Sequence, residues 1–150
     1  MLGGIEVTLV PYRGAALAMN DLLAGTVDVL SDGITSSLPQ VRQGRIRALG
    51  VTSAARSPAA PDIPAVAETL PGFDAVAWFG LQAPAATPPE TVTQLNRAAN
   101  AALARDEVRA RFAESGALPL GGTPEEARGH LVADVARWTD VVRRTGARIE

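Results

Sequence analysis

The chain has 150 residues, of which 47% are hydrophobic and 20% are charged, and its formal net charge is −2. This composition supplies enough apolar side chains for a folded core and excludes a chain that is disordered throughout. A slightly acidic chain gives no reason to expect nucleic acid or an anionic membrane surface as a partner.

The sequence contains no cysteine, which excludes disulfides, thiolate metal sites and cysteine nucleophiles. No stretch approaches the roughly 18 apolar residues that a membrane-spanning helix needs. The opening residues Met1–Gly4 lead directly into Ile5–Thr8, with neither the basic start nor the apolar segment of a signal peptide. The chain as given therefore shows no export signal.

The first half of the sequence alternates between strand and helix patterns. Strands are predicted over Val7–Val10, Val27–Leu30 and Ile46–Thr52, with helices over Ala15–Ala24 and Pro39–Gln43 between them. This order is typical of an α/β fold in which helices cover a parallel sheet. Residues 53–75 are rich in proline and form the best hinge candidate, with one helical turn predicted over Ala65–Thr69.

The second half of the sequence predicts one strand, Val76–Leu81, and then only helices. Two motifs, Thr87-Pro88-Pro89-Glu90 and Thr123-Pro124-Glu125-Glu126, are typical of capping boxes with proline at the first helical position. The first of these helices should run to about Ala104, and another should run from Asp106 to Gly116.

The last predicted helix ends at Gly146 and is amphipathic, with its apolar face on Leu131, Val135, Trp138 and Val142. We expect Trp138 to lie in the core. A single strand beside three helices would leave its backbone groups unpaired. The second half is therefore predicted to be part of a larger fold, and the chain to be incomplete.

Catalytic arrangements find little support in the sequence. The only histidine, His130, lies on a predicted helix, and Ser36–Ser37 is typical of a helix start rather than of a nucleophile elbow. No paired histidines suggest a metal site. Asp28 and Asp32 could form the acid–base pair of a hydrolase, although an aspartate beside Gly33 is more typical of a turn.

Gly14 and Asp32 form a more informative pair. Gly14 ends a predicted strand and loop and lies at the start of a predicted helix. The free N–H groups and the dipole at a helix start attract an anion, and Arg13 adds a positive charge beside them. Asp32 follows the neighbouring predicted strand, so both residues should lie at one edge of the sheet, where ligands collect. Trp78 has two interpretations, a core packing residue or a wall of a cleft.

An ordered set of motifs covers nearly the whole chain and resembles one protein family, the tripartite tricarboxylate transporter (Bug/TctC-like) receptors. The motifs include Val10-Pro11-Tyr12-Arg13-Gly14, Gly44-Arg45-Ile46-Arg47-Ala48-Leu49-Gly50-Val51-Thr52, Pro61-Asp62-Ile63-Pro64, Trp78-Phe79-Gly80-Leu81 and Gly121-Gly122-Thr123-Pro124-Glu125. The resemblance implies an α/β fold of the periplasmic binding protein type (type II-like) with two lobes, present here as an incomplete C-terminal portion. Residues 1–75 would form most of lobe two, and residues 76–150 would return to complete lobe one.

The same resemblance implies a function. The chain would be a solute-binding receptor, not an enzyme, that captures a small carboxylate or acidic amino acid in the periplasm and delivers it to a membrane permease. It would use no cofactor and no metal. The predicted ligand-binding residues are Tyr12, Gly14, Ala15, Asp32 and Trp78, with the amides of Gly14 and Ala15 toward the anion and Asp32 toward an ammonium group or a bridging water.

A second hypothesis belongs to another class of function. A truncated product could bind no solute and act only as a self-associating interaction module. Incomplete sheets would expose strand edges and apolar surface, so we expect a homo-oligomer if the chain is truncated, and carboxylate binding no tighter than about millimolar.

Overall fold

A computed structural model of the chain describes residues 6–146, and these residues fold mainly into helices. The helices are α1 (Ala15–Leu23), α2 (Ile34–Arg42), α3 (Pro89–Leu103), α4 (Asp106–Ser115) and α5 (Pro124–Thr145), with a short 3₁₀ turn at Val66–Glu68. Apart from α2, each lies where the sequence predicts a helix or a helical turn. None of the helices in this described part is long and apolar enough to cross a membrane.

The two predicted capping boxes have different outcomes. At the start of α5 the prediction is confirmed: the Glu126 amide donates to the Thr123 hydroxyl at 3.1 Å, and the Thr123 amide donates to the Glu126 carboxylate at 2.8 Å. At the start of α3 the predicted capping box is wrong, because Pro88 is the N-cap and makes no side-chain cap bond, whereas the predicted proline at the first helical position is confirmed by Pro89. The amide of Thr87 donates to the carbonyl of Pro84, so Thr87 belongs to the preceding turn.

Helix α2 begins five residues earlier than predicted, at Ile34 rather than Pro39. Proline is a poor residue for a helix interior because its nitrogen has no hydrogen to donate. Here the Asp32 carboxylate accepts hydrogen bonds from the Ser36 hydroxyl at 2.6 Å and the Ser37 hydroxyl at 3.0 Å, which secures the turn that precedes the proline.

The largest difference between the structure and the sequence-based expectations concerns the four predicted strands. The described residues contain one isolated parallel bridge, between Val51 and Ala65, and no strand, so the predicted α/β architecture is not confirmed. A strand requires a neighbouring chain segment that completes its hydrogen bonds. The predicted strands instead expose apolar side chains, with Leu9 81%, Val29 70% and Leu81 90% accessible.

The chain divides into two units. Among the described residues, the first unit comprises residues 6–77 together with Arg111–Leu118, and the second unit comprises Trp78–Ala110 and residues 119–146. The first crossing therefore lies two residues beyond the predicted boundary at residue 75. The unit that holds most of the predicted lobe two also contains the end of α4, which the sequence had placed in the other part.

A small core of aliphatic side chains holds the first unit together. The buried hydrophobic residues of the described chain all lie in it: Ala18, Met19, Leu38, Ala60 and Ala65. The guanidinium of Arg42 connects α2 to two other segments, donating to the carbonyls of Glu114 and Ala59 at 3.3 Å each. The buried core is thus formed by α1, α2 and the segment from Ala60 to Ala65, and Arg42 links α2 to the end of α4 by a hydrogen bond.

The second unit depends on polar contacts, because none of its described residues is buried. Asn100 on α3 donates to the Gly122 carbonyl at 2.8 Å and accepts from the Gly122 amide at 2.9 Å. This exchange holds the glycine pair Gly121–Gly122 against α3 immediately before α5 begins. Trp138 on α5 is 41% accessible, so its predicted place in the core is wrong.

Two glycines of the second unit should respond oppositely to substitution by alanine. Gly121 has φ +66°, and a methyl group there would lie 2.6 Å from the Asn100 side-chain oxygen, so we expect Gly121→Ala to lower the free energy of unfolding by about 1–3 kcal/mol. Gly129 lies inside α5 and has open space around its Cα, so Gly129→Ala should raise the free energy of unfolding by about 0.5–1 kcal/mol. Urea unfolding followed by circular dichroism measures both, and a stabilising Gly121→Ala would contradict this structure of the loop.

A pH dependence is expected from the ion pair of the first unit. Arg56 donates to both carboxylate oxygens of Glu68 at 2.7 and 2.8 Å, and the Ala65 amide donates to one of them at 2.9 Å. These bonds, that of Arg56 first, lower the pKa of Glu68 from 4.5 to about 2. Because the folded-state pKa lies below the unfolded value, Glu68 stabilises the fold above pH 4.5, and this stabilisation disappears as the pH falls toward 2.

The measurement is thermal unfolding of Glu68→Gln and the unaltered chain between pH 7 and pH 2. The variant should melt at a lower temperature at pH 7, and the two melting curves should converge as the pH falls. Glu114→Gln removes the same charge from the exposed end of α4 and is the matched control. A difference in melting temperature that persists undiminished at pH 2 would show that the ion pair is not its cause.

Candidate ligand-binding site

The start of α1 presents bare backbone N–H groups to solvent. Gly14 is the N-cap and provides no side-chain cap, and the first turn contains no acidic residue. The first N–H groups of a helix have no partner inside the helix, and they carry the positive end of its dipole. Arg13, Gly14 and Ala15 are all exposed, so this positive end is accessible to an anion.

Tyr12 fixes the loop that leads into α1. Its hydroxyl donates a hydrogen bond to the Asp21 carboxylate at 2.7 Å, and this bond raises the pKa of Tyr12. Asp21 lies on α1 itself, two turns beyond Gly14. Since the single hydroxyl hydrogen is already used, Tyr12 supports the loop beside the helix start and has no hydrogen left to donate to an anion.

Asp32 lies just before α2, whose N-cap is Gly33. Its carboxylate is half-buried and accepts the hydroxyls of Ser36 and Ser37, and these residues, not Asp28, are its partners. A carboxylate at a helix start already balances the positive end of the dipole. The two helix starts therefore differ chemically: that of α1 is open to an anion, whereas that of α2 has its own negative charge.

The predicted sheet edge that was to bring Gly14 and Asp32 together does not form, because the strands ending at Val10 and Leu30 are absent from the described residues. Tyr12, Gly14 and Ala15 do share one place, the entry to α1. Asp32 belongs to the same unit, at the entry to the next helix. What unites these residues is their position at helix starts in the first unit.

Trp78 belongs to the second unit and is attached to α5. Its indole N–H donates to the Asp134 carboxylate at 2.9 Å, and its ring meets His130 edge to face with 5.0 Å between the ring centres. His130 and Asp134 are one turn apart on α5. Of the two interpretations of Trp78, a packing residue or a wall of a cleft, this geometry favours packing. His130 and Asp134 are four residues apart on a helix, so they lie on one face. That spacing is the signal in the sequence that could have indicated a shared partner for them.

A hollow elsewhere in the first unit offers a different environment from the α1 start. It is lined by Leu49, Pro64, Val66 and their neighbours, none of which is charged. A carboxylate placed there would lose its hydration without gaining a donor group of comparable strength. The α1 start thus remains the better anion site of the two.

Comparison with known proteins gives a consistent result. A family model described as "Tripartite tricarboxylate transporter family receptor" matches residues 1–147. The protein BugT of Bordetella pertussis is 38% identical over 148 residues, which are 98% of this chain and 45% of BugT. A UPF0065 protein encoded in a clcB–clcD intergenic region of Pseudomonas knackmussii is 38% identical over 141 residues, covering 93% of this chain and 83% of that protein.

Among solved structures, Rpa4515 of R. palustris with adipate superimposes with a TM-score of 0.92 and 39% identity. The superposition covers 97% of this chain and 49% of that protein. The chain therefore spans about half the length of BugT and of the adipate complex. The chain likewise superimposes on half of the periplasmic binding protein BugD, with a TM-score of 0.88 and 33% identity.

The role of Trp78 in holding its segment to α5 can be tested by one substitution. Trp78→Phe keeps an aromatic ring but removes the N–H that Asp134 accepts, so the free energy of unfolding should fall by about 1 kcal/mol. The neighbouring Phe79 is 97% accessible, so Phe79→Leu should change the free energy of unfolding by less than about 0.5 kcal/mol. Equal losses for the two variants in urea unfolding would contradict the attachment described here.

Proposed function

Because the chain belongs to the tripartite tricarboxylate transporter receptor family, we propose that it acts as a solute-binding receptor for a small carboxylate. The observation that carries the proposal is the family match over residues 1–147 combined with the superposition on an adipate complex. The receptor would work in the periplasm and pass its ligand to a membrane permease. It would capture and release the ligand without a chemical reaction, a cofactor or a metal.

The anion would bind at the start of α1. The amides of Gly14 and Ala15 are exposed at a helix start that has neither a side-chain cap nor an acidic residue in its first turn. A carboxylate there gains hydrogen bonds and the attraction of the dipole without displacing a group of the protein. Arg13 adds a positive charge one residue before the cap, which favours anions over neutral solutes.

The other predicted site residues take supporting roles in this proposal. Tyr12 holds the loop on α1 through Asp21, so it fixes the position of the amides. Asp32 would favour a ligand with an ammonium group or a bridging water. Its Oδ2 accepts the hydroxyls of both serines, and its other carboxylate oxygen, Oδ1, would accept from the ligand or the water. Trp78 would order the segment that enters the second unit.

We further propose that this chain alone binds its ligand weakly. A helix start with two charge-assisted hydrogen bonds contributes roughly 1.5–3 kcal/mol per bond. Immobilising a ligand costs several kcal/mol, so the net affinity would be about millimolar.

A second candidate function is that of a self-associating module without solute binding. The observation that favours it is the absence of any buried residue among those described in the second unit. A unit without a core gains stability by covering its apolar surface with another chain. The two candidates differ in whether α1 responds to carboxylates.

The test is a titration of the isotope-labelled chain with adipate, shorter dicarboxylates and acidic amino acids, followed by backbone amide resonances. We expect the amides of Gly14 and Ala15 to shift with a dissociation constant of about 1 mM or weaker, since only one helix start contacts the anion. The diamide of adipate, which is neutral, should leave these resonances unchanged.

A matched pair of variants at one position isolates the anion effect. Ala15→Asp places a carboxylate in the first turn and should abolish the shifts, whereas Ala15→Asn, of the same size but neutral, should retain them. Shifts that cluster at other helices would contradict the α1 site. A micromolar dissociation constant would contradict the proposed weakness, and no response to any carboxylate would favour the self-associating module.

A further inference from the structure

The glycine that follows α4 is covered by the first residue of α2. A methyl group on Gly116 would lie 3.2 to 3.3 Å from three carbons of the Ile34 side chain, Cγ1, Cγ2 and Cδ1. These distances are shorter than ordinary van der Waals contacts, so a glycine is what allows Ile34 to approach so closely. The end of α4 and the start of α2 thus fit together where there is no room for a side chain.

Gly116 also has the backbone conformation of a helix stop. Its φ is +79°, and its amide and that of the next residue donate to carbonyls in the last turn of α4 at 3.1 and 2.9 Å. This pair of bonds is the Schellman motif. Gly44 ends α2 by the same motif with φ +68°, but a methyl group there would meet nothing within 4 Å. The two glycines therefore differ in the contact with Ile34 and not in backbone conformation.

Ile34 cannot move aside without moving the first turn of α2. A β-branched side chain in a helix has one strongly preferred rotamer, so rotation of Ile34 away from Gly116 is costly. The far end of α2 is also held, because the Arg42 guanidinium donates to the carbonyls of Glu114 and Ala59 at 3.3 Å each. A side chain at position 116 would therefore displace the start of α2 rather than the whole helix.

The start of α2 holds the carboxylate of Asp32. Its Oδ2 accepts the hydroxyls of Ser36 at 2.6 Å and Ser37 at 3.0 Å, and both serines lie in the turn that begins at Ile34. The N-cap of α2 is a glycine and provides no side-chain cap that could fix this turn. The position of the Asp32 carboxylate thus depends on the contact between Ile34 and Gly116.

We propose that Gly116 is a positioning residue for Asp32, and thereby for a preference of the receptor for carboxylates that also have an ammonium group. Gly116 acts through Ile34 and the first turn of α2, and it does not contact the ligand. The inference rests on the proposed function, in which the α1 start binds the carboxylate and Asp32 faces the ammonium group. It gives a role to the segment Arg111–Leu118, which belongs to the first unit although it follows most of the second along the chain.

The test compares the affinities of aspartate and succinate, which differ only in the ammonium group. Both are titrated into the isotope-labelled chain and followed at the amides of Gly14 and Ala15. Since exposed ion pairs contribute modestly, the unaltered chain should bind aspartate about 3-fold more tightly than succinate. Asp32→Asn removes the carboxylate and should make the two affinities equal.

Gly116→Asn should reduce this preference toward unity and leave the dissociation constant of succinate unchanged. Asparagine adopts positive φ more readily than most residues with a Cβ, so the contact with Ile34 is the main effect of the change. Gly44→Asn places the same side chain in the same motif at the other end of α2, and should keep the preference. The amide resonances of Ser36 and Ser37 should shift in the Gly116→Asn variant only.

A double variant keeps the test decisive even where Gly116→Asn alone disturbs folding, which circular dichroism reports. Ile34→Ala removes all three carbons that a side chain at position 116 would meet. The chain with both Gly116→Asn and Ile34→Ala should therefore regain the preference for aspartate, because the space that the isoleucine leaves accommodates the asparagine.

Four results would overturn the proposal. One is a preference that Gly116→Asn and Gly44→Asn affect equally, and another is a double variant that does not regain it. A third is a Gly116→Asn variant that loses succinate binding as well, which would show a purely structural role. The fourth is an unaltered chain that binds both ligands equally. A chain in which neither ligand shifts the α1 amides would instead contradict the proposed function itself, and this inference with it.

Discussion

Backbone hydrogen bonding is the constraint on which the structure of this chain depends. A helix satisfies its N–H and C=O groups within its own residues, but an extended segment needs a neighbour at each edge. The five helices form because they meet this requirement locally. Val51 is the one residue of the predicted strands that finds a bridge partner, Ala65, within the described chain. The other strand segments keep their sequence pattern without a sheet.

The same constraint determines where apolar surface is exposed. Side chains that a sheet would bury, such as Leu9 and Val29, face solvent because the sheet is not assembled. On α5 the side chains of Val135 and Val142 are 57% and 48% accessible, and none of the described residues of their unit is buried. Burial of apolar area is the main stabilising contribution to folding, so this chain gains much from any partner that covers these residues.

Ligand binding and self-association use different parts of the molecule. The proposed carboxylate site needs only a helix start, whose donors are fixed by α1 itself and by the bond between Tyr12 and Asp21. Self-association would instead use the second unit, which has no buried residue among those described. Because the two depend on different units, a change in one should leave the chemistry of the other intact.

The sequence by itself determined four of the five helices, the family and the entry to α1. Periodicity, the Thr123–Glu126 capping box and the glycine stops at Gly116 and Gly146 act within a few residues, so they can be predicted without knowing the rest of the fold. Only the tertiary structure decided which strand segments pair, that Trp138 is exposed, and that Trp78 bonds to Asp134. These outcomes depend on which distant segments come into contact. A local sequence pattern specifies the conformation that a residue favours, but it does not specify the distant residue that it contacts.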